Sequence, residues 1–91
     1  MRLRWSKYAL KRYSEQIEYI AMRNAQAAVE IEEAFERALQ NILRFPEIGH
    51  KGRRVGTLEL IINDAPLILI YRLQDKGITI LNILHTSQEY P

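Results

Sequence analysis

Three short apolar runs, separated by two turn-forming stretches, fill residues 56–91 and leave little choice of fold. Leu58, Leu60 and Ile62 alternate with Thr57, Glu59 and Ile61. Such alternation is the mark of a β-strand, because successive side chains point to opposite faces. Asn63-Asp64-Ala65-Pro66 breaks the run: Asn and Asp bond their own backbone in turns, and Pro has no N–H for a ladder. Leu67 to Leu73 reads as a second strand, and Gln74-Asp75-Lys76-Gly77 as a turn in which Gly77 is able to take positive φ. Ile78 to Leu84 is the third strand. Connections this short make both pairings antiparallel hairpins.

These strands are apolar on both faces. Leu67, Leu69, Tyr71 and Leu73 take one side of the second strand, and Ile68, Ile70 and Arg72 the other. Uninterrupted alternation in the third strand sets Ile78, Ile80 and Leu84 against Thr79, Leu81, Ile83 and His85. A sheet covered by helices on one side should be polar on the other. The second side instead carries Ile61, Ile68, Ile70, Leu81 and Ile83. A surplus of that kind marks a partner-binding surface, unless sheet twist or the C-terminal tail covers it.

Upstream, Leu3 and Trp5 alternate with Arg2 and Arg4, which predicts a short strand at a sheet edge. Ser6 can cap the helix that follows. Ala9, Leu10, Tyr13, Ile17, Ile20 and Ala21 form its apolar stripe, and Arg23 and Asn24 end it. Asn24 can also cap a second helix, whose stripe is Ala28, Ile31, Phe35, Ala38, Leu39 and Ile42 and which Pro46 stops. Acids early in this helix and Arg37 and Arg44 late in it suit the helix dipole. Trp5 and the tyrosines are placed as core or rim residues. Phe45 to Gly56, FPEIGHKGRRVG, reads as a basic loop able to reach phosphate, or as a solvated connector. It lacks the spacing of a phosphate-binding P-loop. The expected fold is therefore α+β: a twisted, mainly antiparallel sheet of the N-terminal strand and three C-terminal strands, with a helical hairpin on one face.

At 91 residues the chain is one domain. It has no cysteine, and its two histidines, His50 and His85, show no metal-ligand spacing, so neither a metal nor a cofactor is expected. No apolar run is long enough for a membrane span and no signal core follows the basic start, which predicts a cytoplasmic protein. The net charge of +2 is unevenly placed. Arg2, Arg4, Lys7, Lys11 and Arg12 open the chain, and Lys51, Arg53 and Arg54 cluster in the middle. Such clusters suit a polyanion or an acidic partner, or are plain solvated surface.

The order strand, helix, helix, three strands comes with Pro46 and Gly49 after the second helix and Gly56-Thr57-Leu58-Glu59 opening a strand. Tyr71-Arg72 ends the next strand, Ile83-Leu84-His85 the last, and Tyr90-Pro91 the chain. This set resembles the RelE/ParE superfamily of bacterial toxins from type II toxin–antitoxin pairs. The resemblance covers nearly the whole chain. It implies a toxin held in a hetero-oligomer with a cognate antitoxin, whose flexible C-terminal part wraps it; Ile61, Ile68, Ile70, Leu81 and Ile83 are the residues expected to meet it.

The superfamily divides by target. RelE-like members cut mRNA on the ribosome with basic residues on the free sheet face and after the last strand. One of those positions is Ile68 here, and the other falls in His85-Thr86-Ser87-Gln88, which has no arginine or lysine. An isoleucine cannot stabilise a phosphorane. The candidates left for a nuclease are Arg72, His85 and Tyr90, with Lys51, Arg53 and Arg54 on the phosphates. ParE-like members poison DNA gyrase by binding, so the missing cations do not count against that branch. It is the preferred reading, with Lys51, Arg53, Arg54, Arg72 and His85 facing the target. The alternatives are a ribosome-dependent mRNA endonuclease and a non-toxic binding module of the same fold.

Overall fold

The computed structural model describes residues 1–86. In chain order the elements are β1 (Arg2–Trp5), α1 (Lys7–Arg23), α2 (Ala25–Arg44), β2 (His50–Lys51), β3 (Leu58–Ile61), β4 (Leu67–Gln74) and β5 (Gly77–His85). The sheet order is β1-β5-β4-β3-β2. All pairings are antiparallel except β1 with β5, which are the first and last strands and run parallel. The α+β architecture expected from the sequence is the one observed, with β2 as an added edge strand inside the stretch read as loop.

Local chemistry sets the boundaries. The Ser6 hydroxyl accepts from the Ala9 amide at 3.0 Å and caps α1. Asn24 serves both helices. Its amide donates to the Ile20 carbonyl at 2.8 Å, and its side chain accepts from the Ala27 amide at 3.0 Å. The acids of α2 begin beyond its first turn, where the dipole effect has faded.

The hairpin lies on one face of the sheet. Ile31, Phe35, Ala38, Leu39 and Ile42 of α2 share a core with Leu67, Leu69, Tyr71, Ile78 and Ile80. Trp5, Tyr13 and Phe35 form an aromatic cluster at its edge, with ring centroids 4.4–5.5 Å apart. Phe35 and Tyr71 are core residues and Trp5 and Tyr13 lie at the rim of the core, whereas Tyr8 and Tyr19 are exposed on α1 and belong to neither. The α1 stripe is narrower than its spacing suggested: Ala9 is buried and Tyr13, Ile17 and Ile20 partly so, but Leu10 is exposed.

The phase of β5 departs from the sequence expectation for a definite reason. Uninterrupted alternation in β5 placed Ile83 and His85 on the free face and Leu84 beneath the helices. The register instead slips between Ile70 and Tyr71, which pair with Asn82 and Ile80 respectively. Leu81 is the extra residue of a β-bulge, and one extra residue reverses every side chain beyond it. Ile83 is therefore fully buried in the core. His85 pairs with buried Leu67 on the helix side, and Leu84 pairs with Ile68 on the other. The Asn82 side chain accepts from the Ile83 amide at 2.8 Å and satisfies a donor at the irregularity. The β4–β5 turn forms as expected without using the freedom of Gly77: Asp75 takes the positive φ, 55°. Gly77 serves close approach instead: a Cβ there would stand 3.0 Å from the Arg2 carbonyl oxygen, where β1 meets β5.

β1 ends at Trp5, so the upper half of β5 would be an open edge. Side chains of the adjoining helix cover it. Ser6 donates through its hydroxyl to the Leu81 carbonyl at 3.3 Å, and Gln16 through Nε2 to the Ile83 carbonyl at 3.0 Å.

Candidate functional site

Register defines the face that the hairpin leaves free. Residues directly opposite one another share a face. One row across it is Ile61, Ile68, Leu84; the next is Glu59, Ile70, Asn82; a third is Arg72, Thr79, Arg4. The face is thus apolar at one end and cationic at the other. Ile61 is 56% exposed, while Ile68, Ile70, Leu81 and Leu84 are half-buried.

A built loop borders this face. The amide and hydroxyl of buried Thr57 both donate to the Arg54 carbonyl, at 3.2 and 2.7 Å, and the Gly52 amide donates to the Thr57 carbonyl at 2.7 Å. Gly56 closes the turn with φ +80°, a conformation that side chains with a Cβ adopt only under strain. Glu59 reaches back from β3: its carboxylate accepts from the Arg53 amide at 3.1 Å and lies 3.9 Å from Arg53 Nε. The result presents Arg53, Arg54 and an almost fully exposed Val55. Between loop and sheet lies a cleft of about 410 Å³, lined by Arg53, Arg54, Thr57, Glu59, Ile70, Asn82 and Leu84. Cationic rim and apolar floor together suit a ligand with both anionic and apolar groups.

Tyr71 fastens the start of this loop from below. Its hydroxyl donates to the Pro46 carbonyl at 2.7 Å and accepts from the Gly49 amide at 3.0 Å. Burial pushes its pKa up, the Gly49 amide opposes this, and Glu47 adds to the rise, so the phenol stays protonated and keeps donating.

Of the residues singled out from sequence, Ile61, Ile68, Ile70, Leu81, Arg53, Arg54 and Arg72 lie on the free face or its bordering loop. Ile83 does not. Lys51 pairs with Leu58 and so sits on the helix side of the edge strand. Arg72 and His85 are not brought together: they lie on opposite faces, and Leu67, the partner of His85, stands roughly 17 Å along β4 from Arg72. Tyr90 lies outside the described residues. Sequence reading missed Leu84, Asn82, the Glu59 tie and the Tyr71 anchor. One signal was available, since Asn82 sits where strict alternation demands a core residue. Among the described residues no cluster of three His, Cys, Asp or Glu could hold a metal, and no helix is long and apolar enough to cross a membrane.

Residues 3–90 match the family model described as the ParE toxin of the type II toxin–antitoxin system parDE. The chain is 32% identical to Y4kP of Sinorhizobium fredii (strain NBRC 101917 / NGR234), a protein inferred to be a toxin, over 99% of this chain and 93% of that one. Its fold is similar to a solved chain of the chromosomal ParDE TA system from P. aeruginosa. The TM-score is 0.83 at 17% identity, covering 93% of this chain and 95% of that chain.

Proposed function

The chain belongs to the ParE toxin family of type II toxin–antitoxin systems, and from that premise we propose that it inhibits DNA gyrase by binding and is neutralised by a cognate antitoxin. The observation that carries a binding mechanism is the separation of Arg72 from His85. A phosphodiester cleavage site needs its acid, base and phosphorane-stabilising groups around one reacting atom. Here the two best candidates stand on opposite faces of the sheet. The free face offers a surface instead, with Ile61, Ile68, Ile70, Leu81 and Leu84 at one end and Arg53, Arg54 and Arg72 towards the other.

The antitoxin is assigned to the apolar end. A disordered segment that folds on binding needs apolar area to offset its ordering cost. The loop and cationic end are assigned to gyrase. Incubating the purified chain with gyrase, ATP and plasmid tests the reading. Loss of supercoiling with accumulation of linear DNA, reversed by the antitoxin, is the expected outcome. Unimpaired supercoiling together with mRNA cut on ribosomes would overturn it in favour of a nuclease.

A further inference from the structure

The register places a second set of cations on the free face that the loop cluster does not include. Arg4 of β1 and Arg72 of β4 both stand directly opposite Thr79 of β5, one on each side. One row on, Arg2 and Gln74 flank Gly77, which puts no side chain between them. Arg2, Arg4, Gln74, Asp75, Lys76, Gly77 and Thr79 line a shallow cleft of about 240 Å³. Beyond Arg72, whose Nε would stand 3.7 Å from a Cβ placed on Gly56, comes the loop with Arg54. The acids near this row are Asp75, inside the cleft, and Glu59, already engaged with Arg53. Among the described residues no ion pair involves Arg2, Arg4, Arg72 or Lys76.

We propose that this row, Arg2, Arg4, Lys76, Arg72 and Arg54, is a track for the phosphate backbone of duplex DNA. Neighbouring strands lie ~4.8 Å apart, so the row from β1 to the loop spans roughly 15 Å, the rise of about four base pairs. Duplex is favoured over single strands by what the face lacks. Single-strand binders stack exposed bases on aromatic rings. Among the described residues every aromatic ring lies in the core, on the helices or after α2, and none on the free face. Thr79 and Gln74 add neutral donors of the kind that position a backbone without reading sequence. DNA binding of this kind needs no gyrase, so it stands or falls apart from the function proposed above.

The test is fluorescence anisotropy of the purified chain with a labelled 20-base-pair duplex, without gyrase, across 50–200 mM salt. About four phosphate contacts give a log–log salt slope of roughly −3.5, so affinity falls about 100-fold over that range. Arg4→Ala and Arg72→Ala should each lower the slope by about 1. Arg4→Lys and Arg72→Lys should keep it, and Lys11→Ala on α1 should leave it unchanged. No binding at 50 mM salt would overturn the proposal. So would a slope indifferent to Arg4→Ala and Arg72→Ala in variants that keep the wild-type circular dichroism, or a single strand of the same length that binds as tightly as the duplex. Gyrase inhibition without duplex binding would sink this inference alone, and duplex binding without inhibition would sink the gyrase reading alone.

Discussion

Removing one oxygen from Tyr71 should unfasten the start of the 45–56 loop. The ring is fully buried, so Tyr71→Phe keeps the packing and deletes only the hydroxyl. That leaves the Pro46 carbonyl and the Gly49 amide without their partner. A lost partner of this kind costs about 1–3 kcal/mol. Denaturant melts should show that loss, and the Gly49 amide should exchange faster with solvent; an unchanged midpoint would contradict the anchor. Tyr13 predicts a pH dependence. Burial, with Glu32 and Glu36 nearby, raises its pKa from an ordinary 10.0 to about 12. A pKa raised by folding means that the contribution is complete below about pH 10 and is lost as pH rises through 12. Thermal melts should therefore fall across that window, by at most about 3 kcal/mol and by less where solvent screens the half-buried phenol, and Tyr13→Phe should flatten much of the fall. Tyr71 titrates in the same direction and accounts for a remainder.

The bulge in β5 decides which face each later side chain meets. Two lysine substitutions, one residue apart, separate bulged from unbroken alternation. Ile83→Lys buries a charge in the core and should cost more than about 3 kcal/mol or abolish folding. Leu84→Lys faces away from the helices and should cost about 1 kcal/mol or less. The reverse ranking would restore the unbroken register. Element order was readable before the structure because each signal was local: Ser6 and Asn24 as caps, two stripes of helical period, and Asn63–Pro66 as a turn. The bulge and β2 were not. A register slip depends on the partner strand. The two-residue strand β2 exists only because Glu59 and Leu58 hold His50 and Lys51 against β3. Asn82 carried the one local hint, a polar residue in phase with Ile78 and Ile80. The candidate site was half readable for the same reason: Ile61, Ile68 and Ile70 follow from alternation within one strand, whereas Leu84, Arg4 and Thr79 join them only through pairing.

At the scale of the whole molecule, the hairpin commits one face of the sheet to the core and leaves the other divided. In the function proposed above, its apolar end takes the antitoxin segment and its cationic end faces the target. That proposed division keeps the antitoxin's surface apart from the target's. It also predicts that Ile61→Lys weakens the antitoxin complex by at least tenfold in titration calorimetry while leaving duplex affinity equal or higher, since it adds a cation. The most direct measurement is a methyl NMR titration of isoleucine-labelled protein with the antitoxin's C-terminal segment. The account predicts shifts at Ile61, Ile68 and Ile70, with Ile31, Ile42, Ile78, Ile80 and Ile83 little changed. Shifts confined to Ile17, Ile20 and Ile31 of the hairpin, with the three free-face methyls unmoved, would contradict it.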